Sequence, residues 1–532
     1  MNARDVRPED LNLSEDAVSR LNHLLNMDTR GYALDLVSPM LSRKGGQTEH
    51  DNERYRLADK LLADMEPVLN NSRLGYLWEV EKAQHDKIGS YSITPPFSEI
   101  VDKLVDYFVP KPVTMDEDIL DRATEEVKGL LAPASLSATT LDAAFNAMPR
   151  NTNLGMPFVS KDKRYYPDMI SLAQTALDSD FEDVRDDPSL HFGRGQPRGR
   201  GELPKRRHVW GFPHWIVLLE EMIQIPLLDA LTGSHPYEFA AWIGLDVVDQ
   251  ACTYMLENAN VPILSLDFSG FDASLPADLI HRAFDCIRYW FRDSDQGLID
   301  FIEYQNLHIP IITPYGLMAG THGEPSGSGV TNTIDTIVQR IAIKAIAISL
   351  GLTILFHIAQ GDDGGVLFNG HWELEDITTE AKRMNLTLSS DKGGVSETEV
   401  YYLQNVYSTK LRHGGHAQRY RPLMKVINGM MSYERLKDED VWNGYMDTLR
   451  WYQQGETANQ NETFPLLVDF LWSNDRLSRQ FGIREIIARA GGLKRAKSLL
   501  NERAFPYGKE PLDGIVGYRV VQDLQVKRMR RK

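Results

Sequence analysis

Apolar positions recur along this chain with two periods, and the changes between them divide it. From about residue 50 to 130 they fall three and four apart, as in Tyr55 to Val68, which predicts amphipathic helices punctuated at Pro95-Pro96 and Pro110-Lys-Pro112. Residues 131–210 are richer in Gly, Pro, Asn and Arg and read as extended loops with one helix at 169–178. Helical spacing returns from Pro213 to Leu231. Between 261 and 408 the pattern shortens. Val261-Pro-Ile-Leu-Ser-Leu266 and Leu352-Thr-Ile-Leu-Phe-His-Ile-Ala359 are apolar runs of strand length, and Gly364 to Phe368 resumes the second after a short interruption. That interruption predicts a hairpin with Gly361-Asp362-Asp363 at its tip. A long helix is expected to end near Leu350, and helical spacing dominates again from about 420, including 437–453 and 483–503.

Length and composition narrow the class. At 532 residues the chain is too long for one simple core, so two or three packed lobes are expected. A hydrophobic content of 42% with 25% charged residues is that of an ordinary soluble globular protein. No charged segment followed by an apolar one opens the chain, so no secretory signal is expected. Its most apolar stretch, Ile341 to Ala359, is broken by Lys344, Gly351 and His357 and reads as helix, turn and strand, not as a membrane span. Two cysteines, Cys252 and Cys286, cannot build a disulfide framework or a four-cysteine zinc site, which points to a reducing, intracellular setting.

The net charge of −17 is unevenly spread. Acids crowd Asp178 to Asp187. Immediately afterwards, His191 to Arg207 carries six cations (Arg194, Arg198, Arg200, Lys205, Arg206 and Arg207) against one Glu, and the chain ends Lys527-Arg-Met-Arg-Arg-Lys532. An acidic exterior around local basic channels suits a protein that handles a polyanion in a cavity.

Candidate chemistry lies in the strand-rich region. Asp267 ends the 261–266 run and Asp272 follows five residues later, while Asp362 and Asp363 sit at the hairpin tip. Two strand ends that bring carboxylates together are a way to hold two magnesium ions. Between them lies Gly323-Glu-Pro-Ser-Gly-Ser-Gly-Val-Thr-Asn-Thr-Ile-Asp335, where Ser326 and Gly327 offer a hydroxyl beside permissive backbone and Thr331, Asn332 and Asp335 open a helix. Each piece alone has a simpler reading: an Asp capping a helix near Pro276, a glycine-rich turn, a solvated Asp pair.

In this order and spacing the three pieces resemble motifs A, B and C of viral RNA-dependent RNA polymerases, which read Asp-x4-Asp, Ser-Gly-x3-Thr-(Asn)-x2-Asn and Gly-Asp-Asp. The form Asp-Phe-Ser-x-Phe-Asp-x-Ser and the length are most similar to polymerases of segmented double-stranded RNA viruses, picobirnaviruses first and partitiviruses next. Flanking segments resemble further motifs. Met384 to Lys392 looks like motif D and Glu399 to Tyr407 like motif E. Lys205-Arg-Arg-His-Val209 looks like motif F, and Thr152-Asn-Leu-Gly-Met-Pro157, with Gly155 and Pro157, like motif G.

The resemblance implies an α+β right hand: fingers, a palm on a small antiparallel sheet, and a helical thumb, encircling a channel. Its expected divisions are an N-terminal extension bridging fingers and thumb (1–50), fingers (51–255), palm (256–276), a fingers insertion (277–320), palm (321–410), and thumb with a basic tail (411–532). It implies two magnesium ions, replaceable by manganese, on Asp267, Asp362 and Asp363, with Lys392 as proton donor to the leaving pyrophosphate. Lys205, Arg206 and Arg207 would neutralise the triphosphate, and Asp272 with Thr331 or Asn332 would sense the ribose 2′-hydroxyl. Thr152, Gly155, Pro157, Arg194, Arg198 and Arg200 would line the RNA path. Where many positive-strand virus polymerases carry Asn this chain has Asp335, an acid next to Asp272. Template and product RNA, ribonucleoside triphosphates and a capsid protein are the implied partners, with no membrane, in the virion interior and the host cytoplasm. A reverse transcriptase is opposed by Asp272 with the Ser-Gly-x3-Thr motif, a decayed scaffold by the retained acids, and a magnesium-dependent hydrolase by the basic run. Whether the C-terminal basic residues grip RNA or gate the cavity stays open.

Overall fold

The structure is a computed structural model that describes residues 2–4, 7–33, 47–70, 73–89, 93–148, 152–182, 184–196, 198–202, 205–389, 394–432, 442–500 and 510–531. It opens with strand β1 (Asn2–Arg4) and helix α1 (Glu15–Arg30). Ser14 caps α1 by accepting from the Ala17 N–H, acids fill its first turn, and Gly31 at φ 67° ends it. The buried face of α1, Ala17 and Leu21, packs with Met156, Val159, Leu190 and Ile312. Helices α2 (Gln47–Leu69) and α3 (Gly75–His85) pack elsewhere. Leu57, Leu61, Met65 and Leu77 share a core with Ile427, Leu449, Leu467 and Val520. The segment expected to open the fingers at residue 51 therefore belongs, through its apolar face, with the C-terminal helices.

After helix α4 (Tyr166–Asp178) come β2 (Ser189–Gln196) and β3 (Lys205–Gly211), an antiparallel pair with Arg194 opposite Arg207. This is where the expectation of loops fails. Buried His208 and Trp210 alternate with exposed Arg207, a strand period that the density of Arg and Gly obscures. Helices α5 (His214–Ser234) and α6 (Leu245–Asn258) lead to β4 (Ile263–Asp267). Then follow α7 (Ala277–Trp290), α8 (Gln296–His308), β5 (Ile311–Thr313) and β6 (Gly316–Ala319). A five-stranded sheet in the order β1-β6-β5-β2-β3 gathers the N-terminal strand, the basic hairpin and the 277–320 segment.

Helix α9 (Thr331–Leu350) stops at Gly351, whose φ is 65°. Strands β7 (Thr353–Gln360), β8 (Asp363–Asn369) and β9 (Gly394–Ser396) complete an antiparallel sheet in the order β9-β4-β8-β7. All five residues of β4 are buried because the sheet is covered on both faces. Ile263 shares a core with Val248 and Met255 of α6, whereas Leu264 and Leu266 share one with α7 and α9. That double cover explains the unbroken apolar run in the sequence. Strands β10 (Glu399–Tyr402), β11 (Asn405–His413) and β12 (His416–Tyr420) form a third sheet.

Helices that follow include α10 (Leu423–Met430), α11 (Gly444–Glu456), α12 (Ile483–Arg489), α13 (Leu493–Leu500) and α14 (Arg519–Arg531). The single helix expected over 483–503 is split by Gly491 and Gly492 at φ 93° and 94°. The expected basic tail is a docked helix. Val520, Val521 and Leu524 of α14 are buried, and Glu456 accepts from the N–H groups of Arg519 and Val520. Lys527 pairs with Asp469, and Arg528 donates to the Ser478 carbonyl. Among the described residues no helix is long and apolar enough to cross a membrane.

Glu81 of α3 ties the two ends of this lobe together. Its carboxylate accepts from the Leu423 and Met424 N–H groups at 2.7 and 2.9 Å and from the Tyr420 hydroxyl at 2.6 Å, capping α10 from another helix. Burial pushes its carboxyl up to about 7 from an ordinary 4.5, against those three donors. The folded state thus holds this proton more tightly than the unfolded chain. Stability from this group is complete below about pH 4.5 and is lost as the pH rises through about 7. The melting temperature should fall between about pH 5 and about pH 8, and Glu81→Gln, which has no proton to lose, should flatten that fall in a thermal-melt series.

Candidate active site

The β7–β8 turn is two residues long, and Gly361 takes its first central position at φ 59°, where mirror-image hairpin turns favour glycine. Helix α9 holds this turn. Thr336 Oγ1 accepts from the Gly361 N–H at 2.8 Å, and Gln339 Nε2 donates to the carbonyls of Gly361 and Asp363 at 3.0 and 3.1 Å. The register sets Asp363 directly opposite Asp267, so the two carboxylates share one face of the sheet. Asp362 stands at the tip, and its charge acts on Asp335 of α9. One oxygen of Asp363 is drawn the other way, since Oδ2 accepts from the Leu403 N–H at 3.0 Å, at the turn between β10 and β11.

Among the described residues no three His, Cys, Asp or Glu side chains close into a metal cage. The donor types still fit a hard cation: Asp267 and Asp363 face each other at paired strand positions, Asp362 sits at the tip, and the charges of Asp272, Glu324 and Asp362 raise the proton affinity of Asp335. Asp335 is buried with Oδ1 unbonded, and its carboxyl is pushed well up, first by burial and then by Asp272, Glu324 and Asp362. Asp272 is also raised by burial, while Arg207 and a hydrogen bond from Ser326 draw it down. Of the two facing acids, Asp335 is the one driven to keep its proton.

The loop before α9 is pinned by backbone contacts. Trp210 of β3 donates to the Ser326 carbonyl at 2.9 Å, and Thr331 Oγ1 donates to the Pro325 carbonyl at 2.9 Å. Gly327, at φ 144°, lies so close to β3 that a Cβ would stand 2.1 Å from the Trp210 carbonyl oxygen. Asn332 is engaged too: its Oδ1 accepts from Trp242 Nε1 at 2.8 Å and from Gln360 Nε2 at 2.5 Å. Thr331 and Asn332, the two residues expected to reach the sugar beside Asp272, thus also hold the loop and the turn. Ser326 takes the place beside Asp272.

The basic residues divide. Arg207 is exposed and acts on Asp272, Arg194 is its cross-strand partner, and Lys205 and Arg206 begin the same strand. Arg198 is exposed. Arg200 departs from the expected RNA contact: its guanidinium pairs with Asp59 of α2 and lies 4.7 Å from the Tyr55 ring centroid, joining the basic loop to the helices packed on the C-terminal lobe. Thr152 Oγ1 shares a 2.8 Å hydrogen bond with His214 Nε2. At Gly155, φ 65°, a Cβ would lie 2.4 Å from the Phe212 carbonyl oxygen, and Pro157 follows a cis bond in the same loop. Thr152 and Gly155 thus meet the β3–α5 junction. Lys392 lies outside the described residues.

Two supporting residues escape a motif search, Gln339 and Glu220. Glu220 has a sequence signal: the adjacent acids Glu220-Glu221 interrupt an otherwise apolar helix, and an acid there needs a partner.

Gly327→Ala should cost about 1–3 kcal/mol through the Trp210 clash, whereas Gly270→Ala, at φ 62° with open space around it, should cost only about 1 kcal/mol of backbone strain. Denaturant midpoints of the two variants measure the difference.

Comparison with known proteins follows the same lines. The family model described as viral RNA-dependent RNA polymerase matches residues 109–463. A potential RNA-dependent RNA polymerase of Human picobirnavirus (strain Human/Thailand/Hy005102/-) is 27% identical over 424 residues, covering 76% of this chain and 78% of the relative. An RNA-directed RNA polymerase of Cryptosporidium parvum virus 1 (strain KSU-1) is 28% identical over 275 residues, covering 48% and 52%. The crystal structure of a human picobirnavirus RNA-dependent RNA polymerase superposes with a TM-score of 0.77 at 22% identity, covering 97% of this chain and 100% of that one. Its insertion-loop deletion mutant gives 0.74 with the same identity and coverage.

Proposed function

Since this chain belongs to the viral RNA-dependent RNA polymerase family, we propose that its RNA synthesis is carried out at the strand ends that bear Asp267, Asp362 and Asp363. The observation that carries this reading is the register of Asp363 against Asp267, with the Asp362 tip held by Thr336 and Gln339. The family works with divalent metal ions. Here Asp267 and Asp362, with the second oxygen of Asp363, would hold two magnesium ions, which supply activation of the primer 3′-hydroxyl and neutralisation of the leaving pyrophosphate.

The chain's own side chains do the remaining work. Arg207 faces the incoming triphosphate, with Lys205 and Arg206 preceding it on the strand. Asp272, kept from full protonation by Arg207 and Ser326, accepts from the ribose 2′-hydroxyl. Asp335, holding its proton, is a donor where relatives carry an amide. Lys392 delivers the proton to pyrophosphate. The basic hairpin carries template RNA, so binding weakens steeply with salt. A capsid protein is the proposed assembly partner, in the virion interior and the host cytoplasm.

The decisive measurement is incorporation of labelled ribonucleotides on single-stranded RNA without primer. Asp267→Ala and Asp362→Ala should each lower it by at least about a hundredfold, with melting temperatures near wild type. An unaltered rate in Asp362→Ala would end this reading. Asp363→Asn, which keeps an acceptor for Leu403, should retain more activity than Asp363→Ala. Asp272→Ala should lower the preference for ribonucleotides over 2′-deoxyribonucleotides, read as the ratio of the two kcat/KM values.

A further inference from the structure

Helix α5 is buried along most of its length by apolar side chains such as Trp215, Leu218, Leu219 and Ile223. Two polar residues one turn apart break that face, and both reach toward the loop and helix that carry Ser326. Glu220 Oε1 accepts from Ser328 Oγ and Oε2 accepts from the Gly329 N–H, each at 2.6 Å. Gln224 Oε1 accepts from Thr333 Oγ1 at 2.8 Å. Glu220 is fully buried, and burial pushes its carboxyl up to about 7. A Cβ at Gly329 would lie 2.9 Å from Glu220 Oε2, so a glycine is what lets the backbone come this close. An acid in an apolar helix is costly unless its acceptors are matched, and an aliphatic side chain would serve packing alone.

The matched partners lie in the middle of a segment with glycines at 327 and 329, where the backbone has few preferences of its own. Trp210 and Thr331 fix the loop at the carbonyls of Ser326 and Pro325. Glu220 fixes its other side, at Ser328 and Gly329. The same loop meets Asp272 directly, since the Glu324 N–H donates to the Asp272 carbonyl at 2.9 Å, and the Ser326 hydroxyl draws the Asp272 carboxyl down.

We propose that Glu220 is a positioning residue for ribose selection: by holding Ser328 and Gly329 from the neighbouring helix, it sets Ser326 against Asp272. Sugar choice then depends on a side chain of α5 that lies behind the nucleotide site. The inference rests on Asp272 and Ser326 forming that site.

The test uses the full-length enzyme and compares kcat/KM for a ribonucleoside triphosphate with that for its 2′-deoxy counterpart. Wild type, Asp272→Ala, Glu220→Gln, Ser328→Ala and the Glu220→Gln/Ser328→Ala double variant are measured, each with its melting temperature. Glu220→Gln keeps the shape but offers one acceptor oxygen to two donors, and Ser328→Ala removes one of those donors. Each should lower ribose preference by about tenfold, and the losses should not add in the double variant, because both act on one anchorage of the loop. A purely structural Glu220 would shift the melting temperature and leave the ratio alone. The inference is overturned if Asp272→Ala loses sugar preference while Glu220→Gln and Ser328→Ala keep the wild-type ratio. If one of that pair does not fold, the other decides. Wild-type sugar preference in Asp272→Ala overturns the sugar-site reading itself, and the inference with it.

Discussion

Strand pairing repeats every two residues, so sliding β8 along β4 by one position would carry Asp363 to the far face of the sheet and leave Asp267 opposite a glycine or a turn residue. The active centre, the cover on both faces and the placing of α9 all depend on that register. It is fixed twice. Leu264 and Leu266 must meet the helices on one face while Ile263 meets α6 on the other. The hydrogen bonds from Thr336 and Gln339 to the turn then allow one placement of the tip along α9. A buried amide and a hydroxyl on one helix thus do for the hairpin what apolar packing alone would leave loose.

Helix α9 is the shared member of this arrangement. Its first turns meet Gln224 of α5 and the glycine-rich loop, and its middle meets the catalytic turn. The acids around it differ in environment more than in chemistry. Burial raises both Asp272 and Asp335, but Asp272 has a cation and a hydroxyl that oppose the rise, whereas Asp335 has other acids that add to it, so Asp335 is held the more strongly in the neutral form.

What could be read from the chain followed the strength of local signals. The 261–266 and 352–368 runs form paired strands, and the register sets the end carboxylates Asp267 and Asp363 opposite each other. The basic hairpin was missed because charge and glycine masked a two-residue alternation whose buried members are His208 and Trp210. The partnership of α2 with the C-terminal helices was not legible, since an amphipathic face announces that it will be buried but not against what. That Thr331 and Asn332 also hold the loop and the turn was not legible, because a motif names residue types and not the direction of their hydrogen bonds. The contacts of Arg200 with Asp59 and Tyr55 cross more than a hundred residues, a distance at which pattern carries no information.

The turn between β10 and β11 is built from Leu403 and Gln404, both at positive φ, 50° and 63°, where neither residue rests willingly. Asparagine and glycine would close such a turn unaided. Here it is held from outside: Asp363 takes the Leu403 N–H, while Asn405 and Arg421 both donate to the Leu403 carbonyl. A hairpin whose turn residues resist its shape depends on its surroundings to keep it. The strand pair expected to grip the primer is therefore coupled to the aspartate hairpin through Asp363, so a disturbance at one turn is felt at the other.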